Sequence, residues 1–373
     1  MSTKTKILFL LDFFPFPENR DGLTKIMANT INRLSDSYEI TLLTVNANKV
    51  DLSCIRKNIV FLETTIPFNS LQKRINQFTF LPMNTLTLKM INQLDSEFDF
   101  NQYQIVHTGL HSFVKLSKIH KNVICGLNDS LSITCLNNTL KGKLKYYYFR
   151  IVELRLAKMN HVITVVSKND AKSYYYNKSL VLPIGVNTDE FYPSNTPKID
   201  GFVFHGVLDY QVNIDSIKKI SNTLNKLSEN YNLHIVGRLN GENKSEVINF
   251  YESLPNCKYI GEVDNISIEI TKYQFYISLM NSGAGVKNKI LEAMSCGMLV
   301  LVNERAIEGF SNKNELLESV FLIKNPIDIK DVVNNSTNWE KKSTNAIEFV
   351  KKYYSWQKYM SLLENKYKEL TKF

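Results

Sequence analysis

Short apolar segments alternate with helix-patterned segments along the chain of 373 residues, and this alternation constrains the fold more than any other feature. In the first half the apolar segments are 7–11, 40–45, 60–64, 105–108, 123–127, 162–166 and 180–182. The pattern restarts at 202–206, 233–236, 258–260, 275–280, 298–302 and 320–323. Strands separated by helices form parallel sheets that helices cover on both faces. The sequence therefore predicts an α/β protein with two doubly wound sheets and a ligand site at the carboxyl ends of their strands.

Length and composition agree with two globular domains. With 44% apolar residues the chain can form two cores of ordinary size, and no run of residues approaches the length needed to span a bilayer. The amino terminus leads directly into a strand, so we expect a cytoplasmic protein without a signal peptide. The five cysteines have neither metal-ligand nor redox spacing. No Asp-x-Asp motif occurs, and we therefore expect no dedicated metal ion.

A glycine-rich turn leads from the apolar segment 275–280 into a helix, and it is the clearest candidate binding feature. The stretch contains Gly283, Ala284, Gly285, Val286, Lys287, Asn288, Lys289 and Glu292. Glycines permit turns that other residues avoid, and the amides at a helix start favour an anion. At helical spacing Glu292 lies on the face of Gly285 and Lys289, where its carboxylate could accept hydrogen bonds from neighbouring sugar hydroxyls. The alternative is an ordinary glycine turn before an amphipathic helix.

This stretch resembles the donor-binding signature of the retaining GT-B glycosyltransferases of family 4. The resemblance continues along most of the chain, through 181–191, 204–210, 233–238, 259–263, 308–310 and 346–370. It implies two Rossmann-like domains that face a central cleft, with the C-terminal helix returning to the first. The implied acceptor domain is 1–195, with 356–373 packing back on it, and the implied donor domain is 196–355.

The activity implied is transfer of a hexose-type sugar from a nucleoside diphosphate sugar to an acceptor hydroxyl, with retention and without a cofactor. The pattern Gly-x-x-Asn-Lys-x-Leu-Glu-Ala-Met, together with Tyr210, is similar to that of bacterial exopolysaccharide and lipopolysaccharide glycosyltransferases. The implied acceptor is therefore a glycan or a lipid-linked glycan. Nucleic acid is not expected as a partner, because none of its usual recognition modules is readable.

Two departures from the family pattern bear on the mechanism. Val207 and Asn213 stand where many members have the arginine and lysine that bind the diphosphate, after Gly206. The candidates to replace this clamp are Lys287, Lys289 and Arg238, because a cation need only reach the phosphate oxygens. Ala284 replaces a glutamate that contacts the donor sugar. These changes motivate the alternative of a catalytically inactive scaffold or partner subunit with the same fold.

The first half of the chain offers weaker candidates. The loop after the first strand contains Arg20, Asp21, Gly22 and Lys25, which could contact the acceptor or the diphosphate. His107 and His111 follow or end the fourth predicted strand, where the family often places a histidine near the transferred sugar. A neutral imidazole could hydrogen-bond a sugar hydroxyl. The alternative for either histidine is a structural role.

A net charge of +9 favours anionic ligands and anionic membranes alike. Cations are dense in the predicted helix after residue 140, where Lys141, Lys143 and Lys145 precede Tyr146 to Tyr148. Such a basic, aromatic surface is typical of peripheral contact with a lipid interface, here at the inner face of the cell membrane. The alternative is a solvated helix whose tyrosines pack on the domain.

Overall fold

The computed structural model describes residues 4–17, 22–48, 50–109, 111–135, 139–159, 162–174, 179–194, 196, 198–227, 231–282 and 285–372. The chain divides into two compact units. One is Met1–Pro183 together with Tyr359–Phe373, and the other is Ile184–Lys358. The first unit therefore ends at Pro183, twelve residues before the domain boundary after residue 195 that the resemblance implies.

The first unit contains a seven-stranded sheet in the order β3-β2-β1-β4-β5-β6-β7. Its strands are β1 (Lys6–Leu11), β2 (Glu39–Val45), β3 (Ile59–Thr64), β4 (Ile105–Gly109), β5 (Val123–Asn128), β6 (Val162–Val165) and β7 (Ser179–Val181). Its helices are α1 (Gly22–Leu34), α2 (Ser70–Phe78), α3 (Leu88–Phe98), α4 (Leu131–Cys135), α5 (Leu140–Met159) and α6 (Lys168–Ser173). Neighbouring strands pair in parallel throughout.

The second unit contains a six-stranded sheet in the order β10-β9-β8-β11-β12-β13, again parallel at every pair. Its strands are β8 (Ile199–His205), β9 (Leu233–Val236), β10 (Cys257–Gly261), β11 (Tyr273–Ser278), β12 (Leu299–Val302) and β13 (Phe321–Leu322). Its helices are α7 (Gln211–Leu224), α8 (Lys244–Ser253), α9 (Ile266–Ile270), α10 (Asn288–Ser295), α11 (Lys313–Ser319), α12 (Pro326–Asn334) and α13 (Trp339–Tyr353). The chain then enters α14 (Trp356–Thr371).

The apolar segments of the sequence become these strands because both faces of each sheet are covered. Residues 7–11 of β1 are all fully buried, as expected for a strand between two helical layers. In the six-stranded sheet, Val203 and Tyr276 belong to one core cluster, and Phe204 and Ile277 belong to another. This alternation of faces confirms the predicted α/β class with two doubly wound sheets.

The C-terminal helix contributes to the first unit, as expected from the resemblance. Tyr359 and Tyr367 of α14 are buried. The hydroxyl of Tyr359 lies 3.2 Å from Thr30 Oγ1 on α1, and the hydroxyl of Tyr367 lies 2.8 Å from His107 Nδ1 on β4. These two bonds hold α14 against helix α1 and strand β4 of the first unit. None of the helices within the described ranges is long and apolar enough to cross a bilayer.

Candidate functional site

The six-stranded sheet reverses its strand order between β8 and β11. From β8 the chain continues to β9 and β10 on one side, and from β11 it continues to β12 and β13 on the other. Open parallel sheets bind ligands beyond the carboxyl ends of the strands at such a switch point. His205 ends β8 and Gly206 follows it, and α10 begins at Asn288 after β11. Gly285 and the start of α10, which are the described part of the stretch singled out from the sequence, therefore lie at the expected edge of the sheet.

Gly206 allows side chains from two other elements to approach the end of β8. Its φ is +152°, a conformation that L side chains rarely adopt. A Cβ atom at this position would lie 3.2 Å from Asn213 Nδ2 and 3.4 Å from Lys289 Nζ. The structure thus brings together Gly206, Asn213 of α7 and Lys289 of α10.

The amine of Lys289 is buried in this group, and its pKa is strongly shifted. Its Nζ donates a hydrogen bond to Asn213 Oδ1 and lies 4.3 Å from the centroid of the Phe204 ring. Burial of the amine, assisted by the charge of Lys287, lowers the pKa of Lys289 to about 7, against a smaller raising effect of Glu292. An anionic ligand at this edge would favour the protonated amine again. The Lys289 amine thus lies beside Asn213, the position at which the resemblance implies a lysine.

Glu292 pairs with a histidine that the sequence analysis did not single out. His205 Nε2 lies 2.9 Å from Glu292 Oε2, and the two residues are 4% and 8% exposed. The pair fixes the orientation of the carboxylate on α10 relative to the end of β8. A recognisable signal was present in the sequence, because His205 is a polar residue at the end of an apolar strand and directly before Gly206.

The turn before α10 is supported by the loop after β12. Gly285 has a φ of +69°, which favours glycine. A Cβ atom at Gly309 would lie 2.2 Å from the carbonyl oxygen of Gly285, so only glycine permits this approach. Gly283 and Ala284, the first two residues of the predicted turn, lie outside the described residues.

The other predicted donor-binding residues take different positions around this edge. Lys287 precedes α10 and donates from Nζ to the carbonyl oxygen of Gly285 at 3.3 Å. Val286 packs against the core, which indicates a structural role for its side chain. Asn288 begins α10, and its Oδ1 is buried without a hydrogen-bond partner among the described residues. The amides of this first helical turn are oriented to bind an anion.

Two further predicted residues lie on the loops after β8 and β9. Tyr210 precedes α7 and is 61% exposed. Arg238 follows β9, and its carbonyl oxygen accepts a hydrogen bond from the Leu208 amide at 2.8 Å. Asp209, which the sequence analysis did not single out, accepts at Oδ2 from the amides of Asn240, at 2.6 Å, and Gly241. Asp209 thus holds the loop that carries Arg238.

His107 lies in the core of the first unit rather than at its edge. The residue is 0% exposed, stacks on Phe9 with a centroid distance of 5.0 Å and contacts the Tyr367 hydroxyl. Burial lowers the pKa of His107 to about 3. The imidazole is enclosed because helices cover both faces of β4, so no surface is open to a ligand. This burial favours the structural alternative for His107, and a catalytic role for it stays a prediction.

His111 lies beyond β4, at the carboxyl edge of the seven-stranded sheet. Burial lowers the pKa of His111 to about 4, so its imidazole is neutral at neutral pH. The neighbouring Ser112 donates a hydrogen bond to Asp12 Oδ2, and burial raises the pKa of Asp12. Asp12 follows β1, so these residues meet at the switch point between β1 and β4. Asp12 was not predicted, although a single acidic residue directly after a buried strand is a visible signal.

The predicted N-terminal loop is only partly described. Arg20 and Asp21 lie outside the described residues. Gly22 is the first residue of α1, and a Cβ atom there would meet no other atom within 4 Å. Lys25 lies in the first turn of α1 and is partly buried. The contribution of this loop to acceptor binding stays a prediction.

Comparisons with known proteins find a family model that matches part of the chain and solved structures that share its fold. Residues 200–334 match the family model described as Glycosyl transferases group 1. No curated protein matches the sequence significantly. Among solved structures, sucrose-phosphate synthase from Thermosynechococcus elongatus is similar over 98% of this chain and 99% of its own, with a TM-score of 0.71 and 13% identity.

Two further structures are similar along their whole length. HepE from Anabaena, in complex with UDP, has a TM-score of 0.68 and 12% identity, over 99% of this chain and 100% of its own. WaaG, a glycosyltransferase involved in lipopolysaccharide biosynthesis, has a TM-score of 0.63 and 13% identity, over 98% and 99%. The second unit thus carries the match to the glycosyl transferases group 1 family, and the chain as a whole has the fold of the GT-B glycosyltransferases.

Proposed function

We propose that this chain transfers a sugar from a nucleoside diphosphate sugar to an acceptor hydroxyl, with the donor bound at the carboxyl edge of β8 and β11. One observation carries the proposal. The amine of Lys289 lies beside Gly206 and Asn213 at the switch point of the six-stranded sheet, on the same helix as the Glu292 that pairs with His205. The match of residues 200–334 to glycosyl transferases group 1 supports the same assignment.

Lys289 is the group best suited to bind the diphosphate. Negative charge grows on the diphosphate as the bond to the sugar breaks, so a cation at this place stabilises the transition state more than the ground state. The resemblance implies a clamp at Val207 and Asn213, where this chain has no cation. The contact of Lys289 with Asn213 supports replacement of that clamp by a lysine from α10. Lys287 and the first amides of α10 add to the positive potential.

Glu292 is the group best suited to bind the ribose. A carboxylate accepts hydrogen bonds from two neighbouring hydroxyls, and its strength as an acceptor depends on a fixed orientation. The bond from His205 Nε2 to Glu292 Oε2 supplies that orientation. His205 is therefore a positioning residue in this proposal, since it acts on the ligand through Glu292.

We further propose that the donor sugar is of hexose type and that its anomeric configuration is retained. The proposed acceptor belongs to a bacterial surface polysaccharide or glycolipid. Retention places the attacking hydroxyl on the same face as the departing diphosphate. UDP is the first nucleotide to test, because HepE is described in complex with it. The role of WaaG in lipopolysaccharide biosynthesis supports a glycan or lipid-linked glycan acceptor. No metal ion enters the proposal, since the sequence lacks an Asp-x-Asp motif.

Calorimetry with UDP, GDP, ADP, TDP and CMP tests the donor site. We expect one nucleotide to bind the wild type selectively and to bind Glu292→Ala more weakly. The corresponding nucleotide sugar is then incubated with glycan acceptors, and the anomeric configuration of the product is read by NMR. Binding without turnover on any acceptor, with cellular function retained by Lys289→Met, would instead favour the scaffold alternative. Absence of binding to all five nucleotides would contradict the proposed function.

A further inference from the structure

Helix α5 of the first unit has apolar side chains on two opposite faces. Val152 and Leu156 are buried in the core, at 1% and 0% exposure. On the outer face Leu140, Leu144, Tyr147 and Ile151 are 76%, 63%, 66% and 45% exposed. Their spacing of four, three and four residues makes one stripe along the helix. A helix on a protein surface normally presents polar residues outward, so this stripe is suited to contact something other than water.

Helix α2 carries a second exposed apolar stripe. Leu71, Ile75 and Phe78 recur at the same spacing and are 64%, 45% and 89% exposed. The two helices touch, because the Tyr148 hydroxyl donates to the carbonyl oxygen of Gln77 at 3.1 Å. Tyr147 and Phe78 are the chain neighbours of these bonded residues. We refer to the seven exposed residues of both stripes as the α2–α5 surface.

Within helices α2 and α5 themselves, every exposed charged side chain is positive. Exposed cations on the two helices are Lys73, Arg74, Lys141, Lys143, Lys145, Arg155 and Lys158. The sequence of α2 contains no acidic residue. The single carboxylate of α5, Glu153, is 0% exposed and is held by Ser130, Ser132 and Arg150. It therefore does not offset the cations at the surface.

We propose that the α2–α5 surface docks on an anionic lipid bilayer. Exposed leucine, isoleucine and aromatic side chains enter the interface between headgroups and acyl chains, while flanking lysines and arginines bind anionic headgroups. The sequence pointed to the basic and aromatic residues between Lys141 and Arg150. The structure adds α2, and it assigns the insertion to outward leucines and Phe78, since Tyr146 and Tyr148 are only partly exposed. This docking is independent of the donor chemistry.

Vesicle co-sedimentation of the full chain tests the proposal without any nucleotide. The probes are vesicles of phosphatidylcholine alone and of equal parts phosphatidylcholine and phosphatidylglycerol. We expect binding to the mixed vesicles, weaker binding to the neutral ones, and a decrease as salt screens the charges. Lys143→Glu with Lys145→Glu should weaken binding by about 30-fold or more, since each lysine contributes about fivefold at an anionic surface.

Matched variants separate the apolar contact from the charge. Phe78→Ser with Leu144→Ser should reduce binding at high and low salt alike, because the inserted side chains are lost. The apolar control is Leu52→Ser with Ile268→Ser, at positions that are 61% and 60% exposed elsewhere. The charge control is Lys57→Glu with Lys121→Glu, at exposed positions outside α2 and α5. Both controls should bind vesicles like the wild type, and all variants should keep the circular dichroism spectrum and nucleotide affinity of the wild type.

A second measurement reports insertion directly. In Tyr147→Trp with Phe78 intact, the new tryptophan should be quenched by brominated lipid in mixed vesicles, whereas Leu52→Trp should not. Equal binding of all variants, or no binding to mixed vesicles, would overturn the proposal. A dimer in sedimentation equilibrium that dissociates in Phe78→Ser with Leu144→Ser, together with absent quenching, would show instead that a second copy covers this surface. None of these outcomes depends on whether the chain transfers a sugar.

Discussion

The lowered pKa of Lys289 makes donor binding depend on pH. With a pKa of about 7 in the free site, the amine is about 90% protonated at pH 6, about 10% at pH 8 and about 1% at pH 9. A bound diphosphate favours the protonated amine and raises its pKa, so binding takes up a proton whenever the free amine is neutral. The affinity for a nucleotide sugar should therefore fall about tenfold from pH 6 to pH 8 and about 100-fold to pH 9.

Isothermal calorimetry with UDP-glucose measures this linkage. The pyrophosphate of this diester stays fully ionised from pH 6 to pH 8, a range that lies below the titration of the uracil N3–H, so the ligand adds no titration of its own there. In buffers of different ionisation enthalpy, the wild type should take up about 0.9 proton per nucleotide at pH 8 and about 0.1 at pH 6. If UDP-glucose does not bind, the nucleotide sugar selected by the binding screen replaces it.

Two variants of the clamp test this titration in different ways. In Lys289→Arg the guanidinium stays charged across this range, so affinity should be nearly independent of pH and proton uptake should vanish. In Lys287→Gln one neighbouring positive charge is lost, so the pKa of Lys289 should rise and the decline in affinity should move to higher pH. A wild type with constant affinity from pH 6 to pH 9 and no proton uptake would refute the placement of Lys289 at the diphosphate.

Further expectations concern the ribose site, the turn and the core. Glu292→Ala should weaken nucleotide binding by about tenfold or more, since hydrogen bonds to a charged group contribute about 1.5–3 kcal/mol, and calorimetry should find Glu292→Gln intermediate. Gly309→Ala should lower nucleotide affinity in the same assay, because its Cβ atom would approach the carbonyl oxygen of Gly285 to 2.2 Å. Tyr367→Phe should lower the free energy of unfolding in urea by about 1–3 kcal/mol, because buried His107 loses its partner, while kcat and KM for sugar transfer stay unchanged.

Local patterns determined most of the fold. Each predicted apolar segment overlaps one observed strand, because a strand covered on both faces is a continuous apolar run whatever surrounds it. Ile26, Ile31 and Leu34 form the buried stripe of α1 for a similar reason, since their helical spacing is a local property. The glycine turn, Lys289 and Glu292 were also visible, because turn chemistry and helical spacing act over a few residues.

The resemblance could not indicate which strand end each side chain approaches. His107 lies on a strand that ends at the predicted edge, yet it is enclosed because α14 returns from the far end of the chain and Tyr367 covers it. The pair of His205 and Glu292 is separated by 87 residues. Such a pair exists only because β8 and β11 are neighbours in the sheet, which is decided by sheet order.

The amino-acid sequence by itself determined the α/β class, the two sheets, the strand segments and the helix that carries Lys289 and Glu292. Periodicity, glycine positions and charge are properties of neighbouring residues, and the sequence displays them directly. Tertiary structure alone decided that Lys289 reaches Asn213 and Gly206, that His205 orients Glu292, that His107 is a core residue, and that α2 adds its exposed stripe to that of α5. Burial, pKa and contact depend on which distant segments pack together, and packing is a property of the whole fold.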